Sequence, residues 1–87
     1  MKKLRERLAV QLSLPKEIAL NLPLVTIIGQ GEMVIENYKN LAEFSETQVR
    51  VRTNDSIITV QGAGLTLQQI TSENLLISGR ISGIMYE

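Results

Sequence analysis

The chain has no cysteine, no histidine and no tryptophan. These absences exclude disulfide staples, thiol nucleophiles, imidazole acid/base chemistry and the usual zinc ligand sets. Aromatic residues are scarce: Tyr38, Phe44 and Tyr86. That is too few for the stacking platform of a small single-strand nucleic-acid binder. No apolar run approaches the ~20 residues of a membrane-crossing helix. The start is basic, but Leu8–Leu14 is broken by Gln11 and Ser13 and lacks a small-residue cleavage site, so no secretory signal is expected. Eighty-seven residues allow one domain with a thin core. Domains this small often need a staple, and with disulfides and the usual zinc sites excluded, oligomerisation or docking on a partner is the staple that remains. The domain is therefore expected to form homo-oligomers.

What is present is unevenly spread. The formal net charge is zero. Yet residues 1–16 carry Lys2, Lys3, Arg5, Arg7 and Lys16 against Glu6, a net +4. Residues 17–87 carry four basic residues against eight acidic ones, a net −4. A basic end on an acidic body implies two surfaces with different partners, or attraction of one to the other.

Leu4, Leu8 and Leu12 recur at i, i+4 and i+8, which predicts an amphipathic helix over residues 1–14. Its other residues are good helix formers, and Pro15 stops it because the residue before a proline is driven out of the α region. From Ile18 to Leu24 the apolar period becomes two. Pro23 gives this segment the character of an edge, and a short helical turn over residues 15–20 is the competing reading.

Beyond it, period-two patterning predicts short strands at 24–28, 32–36, 41–45, 48–53, 57–61, 65–70, 75–78 and 81–86. Gly29-Gln30-Gly31, residues 37–40, Asn54-Asp55-Ser56, Gly62-Ala63-Gly64 and residues 71–74 are the expected turns. Regular spacing without a second helix predicts a mainly β fold: a small antiparallel roll or sandwich, a meander of six to eight strands over residues 15–87, preceded by the helix. The expected inward residues are Ile27, Met33, Ile35, Phe44, Val49, Val51, Ile58, Val60, Leu67, Ile77 and Ile84. The pattern leaves the side of Leu65, Leu75 and Met85 open, because strand ends slip by one residue easily.

Catalytic constellations are missing. Glu32 and Glu36 share a strand face about 14 Å apart, too far for a glycosidase pair. Gly29-Gln30-Gly31 lacks the third glycine and following helix of a dinucleotide loop and reads as a hairpin turn. Gly79 to Gly83 marks a bulge or bend. Arg50 and Arg52 share one outward face, and two arginines make a poor phosphate track. No catalytic residue, cofactor or metal is expected. The candidate contact residues are Lys2, Lys3, Arg5 and Arg7 beside Leu4, Leu8 and Leu12. That stripe either covers the sheet or, with its basic flank, meets an anionic membrane or a membrane-bound partner.

One resemblance covers nearly the whole chain. Leu14-Pro15-Lys16-Glu17-Ile18-Ala19-Leu20-Asn21-Leu22-Pro23, Val25-Thr26-Ile27-Ile28-Gly29, Ile35-Glu36-Asn37-Tyr38-Lys39, Phe44 and Val49-Arg50-Val51 resemble the YqfC/YabP family of sporulation proteins of endospore-forming Firmicutes. Ile58-Thr59-Val60-Gln61-Gly62 and Leu75-Leu76-Ile77-Ser78-Gly79-Arg80-Ile81 continue it. Asn40 stands where the family's turn often has glycine, and asparagine also tolerates the left-handed conformation. The resemblance implies a non-enzymatic role in endospore formation, in the mother-cell cytoplasm, beside a membrane-associated sporulation protein. It brings no catalytic residues. A small ligand- or nucleic-acid-binding β domain with a regulatory role is the alternative.

Overall fold

A computed structural model describes residues 21–87. The predicted helix, with Lys2, Lys3, Leu4, Arg5, Arg7, Leu8 and Leu12, lies outside the described residues, as do residues 18–20 of the Ile18–Leu24 segment. Six strands follow: β1 (Leu24–Ile28), β2 (Glu32–Glu36), β3 (Asn40–Phe44), β4 (Gln48–Arg52), β5 (Ile57–Ile70) and β6 (Asn74–Tyr86). They form one antiparallel sheet in the order β1-β2-β6-β5-β4-β3.

Two corrections to the sequence reading concern topology. The sheet is not a simple meander, because β2 and β3 lie at opposite sides of it. And the eight expected segments merge into six strands, the lower end of the expected six to eight. The 57–61 and 65–70 segments are one strand, as are the 75–78 and 81–86 segments. Gly62-Ala63-Gly64 is not a turn but a register shift within β5. The expected glycine-tolerant position also moves: the left-handed residue between β2 and β3 is Asn37, with φ of 61°, and Asn40 opens β3.

The β5–β6 hairpin is the spine. A straight strand of 14 residues would run about 48 Å. Yet Asn37 N–H donates to the Glu73 carbonyl, beyond the end of β5, and Lys39 N–H donates to the Arg52 carbonyl, opposite its start, each at 2.8 Å. Two residues of chain span only about 7 Å. The spine therefore folds back until its two ends meet at this crossover. Tyr38 reinforces the junction by donating its hydroxyl to the Thr71 carbonyl.

Folding the spine makes two arms. In one, β1 and β2 line up on residues 74–78 of β6; in the other, β4 and β3 line up on residues 57–61 of β5. Each hairpin turn follows the spine through the bend. Gly79 and Ile81 donate to the carbonyls of Gly31 and Gln30, and Gly62 and Leu65 donate to those of Thr47 and Glu46. The bend depends on glycine. A Cβ at Gly62 would overlap the Arg80 carbonyl oxygen, and one at Gly79 would sit 2.7 Å from the Gly64 carbonyl oxygen.

The inner faces of both arms share one core of Met33, Ile35, Val49, Val51, Ile58, Val60, Leu65, Leu75, Ile77 and Ile81. Cross-strand rows build it: Met33 opposite Ile77, Ile35 opposite Leu75, Val49 opposite Val60 and Val51 opposite Ile58. Such pairs are the unit of sheet stabilisation. Leu67 and Ile84 pack against the core, partly buried. Leu65 and Leu75 prove buried, and Met85 is exposed.

Two expected core residues are not buried. Ile27 is 52% and Phe44 45% exposed. Each faces the expected side, since Ile27 pairs with Met33 and Phe44 with Val49. They sit on the outermost strands, however, where no further strand covers them among the described residues. In β3 a bulge between Leu41 and Glu43 lets residues three apart, Leu41 and Phe44, face the same way.

Candidate functional site

The expected contact residues Lys2, Lys3, Leu4, Arg5, Arg7, Leu8 and Leu12 fall outside the described residues, so the described body contributes other surfaces. The most developed is polar. On the outer face of β4, Arg50 lies opposite Glu43 on β3 and Thr59 on β5. Its Nη2 meets Glu87 Oε1 at 2.8 Å, and its Nη1 lies 3.9 Å from Glu43 Oε1. Thr59 Oγ1 donates to the same Glu87 oxygen at 3.2 Å. Thr59 is only 3% exposed despite its outward position, because this cluster lies over it. The main chain of Glu87 exchanges two hydrogen bonds with Ile57, which fixes the carboxylate's approach.

The hydrogen bond from Arg50 holds the Glu87 carboxyl below its ordinary value of 4.5, with further help from Thr59 and from the guanidinium charge. A depressed carboxyl contributes stability that is present above its unfolded value and lost as pH falls through the folded value. Stability should therefore decline on acidification below about 4.5. Arg50→Gln should flatten that decline and raise the Glu87 titration midpoint seen by NMR. An unchanged midpoint would show that Arg50 does not hold the carboxyl in solution.

The cluster also bears on nucleic acid. Arg50 is engaged by two carboxylates and is not presented to a phosphate. That leaves Arg52, exposed at the strand end, without the partner a phosphate track requires. Sequence reasoning placed Arg50 and Arg52 on one face but missed Glu87 and Thr59. Nothing local links residues 37 apart, and only the strand register joins them.

Gly29-Gln30-Gly31 forms the expected hairpin turn, with Gly29 at φ 58°. Its backbone presents carbonyls to β6, the wrong polarity for cradling phosphate. Glu32 and Glu36 flank β2 and pair across to Ile28 and Ser78, and to Leu24 and Asn74. Among the described residues no three Asp or Glu side chains converge to hold a metal ion. No described helix is long and apolar enough to cross a membrane. Among the described residues the buried polar ones are Thr53 and Thr59. Thr53 closes the β4–β5 turn by donating to the Ser56 carbonyl at 2.8 Å.

The remaining surfaces are edges. β1 is Leu24-Val25-Thr26-Ile27-Ile28, with no charge and no bulge. β3 carries Glu43 and a bulge, two devices that blunt an edge against pairing.

Comparison with known proteins agrees with the motifs quoted above. The uncharacterized protein YqfC of Bacillus subtilis (strain 168) is 29% identical over 75 residues, which covers 86% of this chain and 81% of YqfC. No solved structure matches the chain significantly. A YabP family profile matches residues 21–87, the whole of the described sheet from β1 to Glu87, and the chain belongs to the YabP family.

Proposed function

We propose that this protein is a non-catalytic assembly module of endospore formation. It acts in the mother cell, where its basic N-terminal segment tethers the β body to a membrane-associated sporulation partner and the anionic lipid around it. The charge partition carries this reading. Residues 1–16 hold a net +4 beside a body of net −4, and four basic residues among the first seven exceed what packing a leucine stripe requires. Each basic residue near an anionic leaflet contributes about 1 kcal/mol. The stripe Leu4, Leu8 and Leu12 is too narrow to insert alone, so partner contacts or several copies must add to it. Family membership and the sporulation resemblance supply the setting. The commitment of the described interior to aliphatic packing fits a module that binds through its surface.

The test replaces Lys2, Lys3, Arg5 and Arg7 together with Gln. The variant should keep its β circular dichroism, leave the membrane fraction of sporulating cells and lower spore yield. Wild-type binding to vesicles containing anionic lipid should weaken as salt rises, because exposed charges are screened within about 8 Å at physiological ionic strength. A variant that stays with the membrane and sporulates normally would refute the tether.

A further inference from the structure

We propose that β1 is a self-pairing edge, and that a second copy of this chain docks on it, antiparallel, across a two-fold axis at Thr26. The inference deepens the assembly reading and rests on it. Its starting point is the contrast between the two outermost strands. β3 is blunted by Glu43 and by its bulge. β1 runs five residues in unbroken register with β2, and four of them, Val25, Thr26, Ile27 and Ile28, are β-branched. Among the described residues nothing pairs with its outer side. An uncharged, regular edge of this kind is a template for another strand.

The occupant follows from the strand's own symmetry. Pairing two copies about Thr26 sets Val25 opposite the partner's Ile27, and Leu24 opposite the partner's Ile28. Both faces then match apolar to apolar, and Thr26 meets its own copy. On the core side Val25 and Ile27 continue the rows of Ile35 and Met33, so pairing extends the core row across the axis. It also covers Ile27 and Ile28, each 52% exposed. Pro23 and the Gly29 turn bound the strand, which leaves little room for slipped registers. The chain has no net charge, so two copies meet without overall repulsion. Five residues per copy make a small interface, below the usual size of a permanent dimer. The association is therefore weak and concentration-dependent, suited to reinforcement when many copies share a surface.

The absence of cysteine gives a direct test in the full chain. Thr26→Cys and the more exposed Ala42→Cys, on β3, are treated with a short bismaleimide crosslinker. Random collision favours the exposed Ala42 position, whereas the proposed axis favours Thr26, whose copies lie about 5 Å apart at Cβ. Thr26→Cys should give covalent dimer about tenfold faster. Sedimentation of the wild type should show dimer growing with concentration, and Ile27→Lys and Ile28→Lys should each raise the dissociation constant about tenfold or more. Should one lysine variant lose its β circular dichroism, the other variant and the crosslinking decide. Equal crosslinking at the two positions overturns the proposal, as does an unchanged dissociation constant in a folded lysine variant. Crosslinking of Thr26→Cys in sporulating lysate to a different protein, without homodimer, also overturns it and assigns the edge to that partner. None of these outcomes touches the membrane tether, which is read from the location of the glutamine variant.

Discussion

Gly62→Ala is expected to lower the melting temperature by about 20 °C, from a loss of about 4 kcal/mol at some 4–8 °C per kcal/mol in a domain this small. The reason lies in the spine. At Gly62 the two long strands approach so closely that a methyl group would overlap the Arg80 carbonyl oxygen and lie 2.9 Å from Leu65 Cδ2. A flexible side chain could move aside, but a backbone carbonyl moves only with its strand. Opening the strands there strains the hydrogen bonds of Gly62 and Leu65 to the β3–β4 turn and lifts Leu65 from the core. Gly79→Ala should approach the same cost. Its φ of 137° disfavours any side chain, and its Cβ would lie 2.9 Å from the Leu65 Cα. Gly64→Ala is the control. Gly64 has a left-handed φ of 60° but open space around it, so it should cost only about 1 kcal/mol of backbone strain. Thermal melts of the three variants separate close approach from conformational preference. Gly62→Ala melting within a few degrees of Gly64→Ala would mean that the strands do not touch at the bend.

Ile77→Ala should cost about 3–4 kcal/mol, the usual range for a buried isoleucine cut to alanine. Ile77 is fully buried and stands between Met33 on β2 and Leu67 on β5. Its removal leaves a hole lined on both sides, within strands whose register prevents collapse. Ile27 provides the comparison, because it ends the same row beyond Met33. Half exposed, it has less area to lose, and Ile27→Ala should cost about 1 kcal/mol in dilute protein. Chemical denaturation of both variants at low concentration gives the ratio. Equal losses would show that Ile27 is as well covered as Ile77 even in the isolated chain.

The alternation of apolar and polar residues determined a large part of this protein. It placed Met33, Ile35, Val49, Val51, Ile58, Val60 and Ile77 on the inner face, and all are fully buried. It placed the turns at Gly29–Gly31, at 54–56 and at 71–74, because glycine, asparagine and threonine satisfy or relax the backbone locally there. The absence of cysteine and histidine excluded whole classes of chemistry without reference to any fold. The quoted motifs were enough to point to the family.

The tertiary structure decided what lies beside what. A period of two says which way a side chain points, not which strand is its neighbour. Ile27 and Phe44 therefore face the predicted side yet remain exposed on the outermost strands. The bulges in β5 and β6 reverse that period partway along. Ile58 and Val60 share the inner face with Leu65, and Ile81 shares it with Ile84, which is why the sides of Leu65 and Met85 could not be read locally. Gly62-Ala63-Gly64 has the composition of a turn, but contact with Gly79 and Arg80 across the spine holds it extended and bent. The Arg50, Thr59 and Glu87 cluster joins residues of β4 and β5 with the residue just past the end of β6. Such placements depend on long-range pairing, in which backbone approach and hydrogen-bond register outweigh the short-range preferences that a sequence displays.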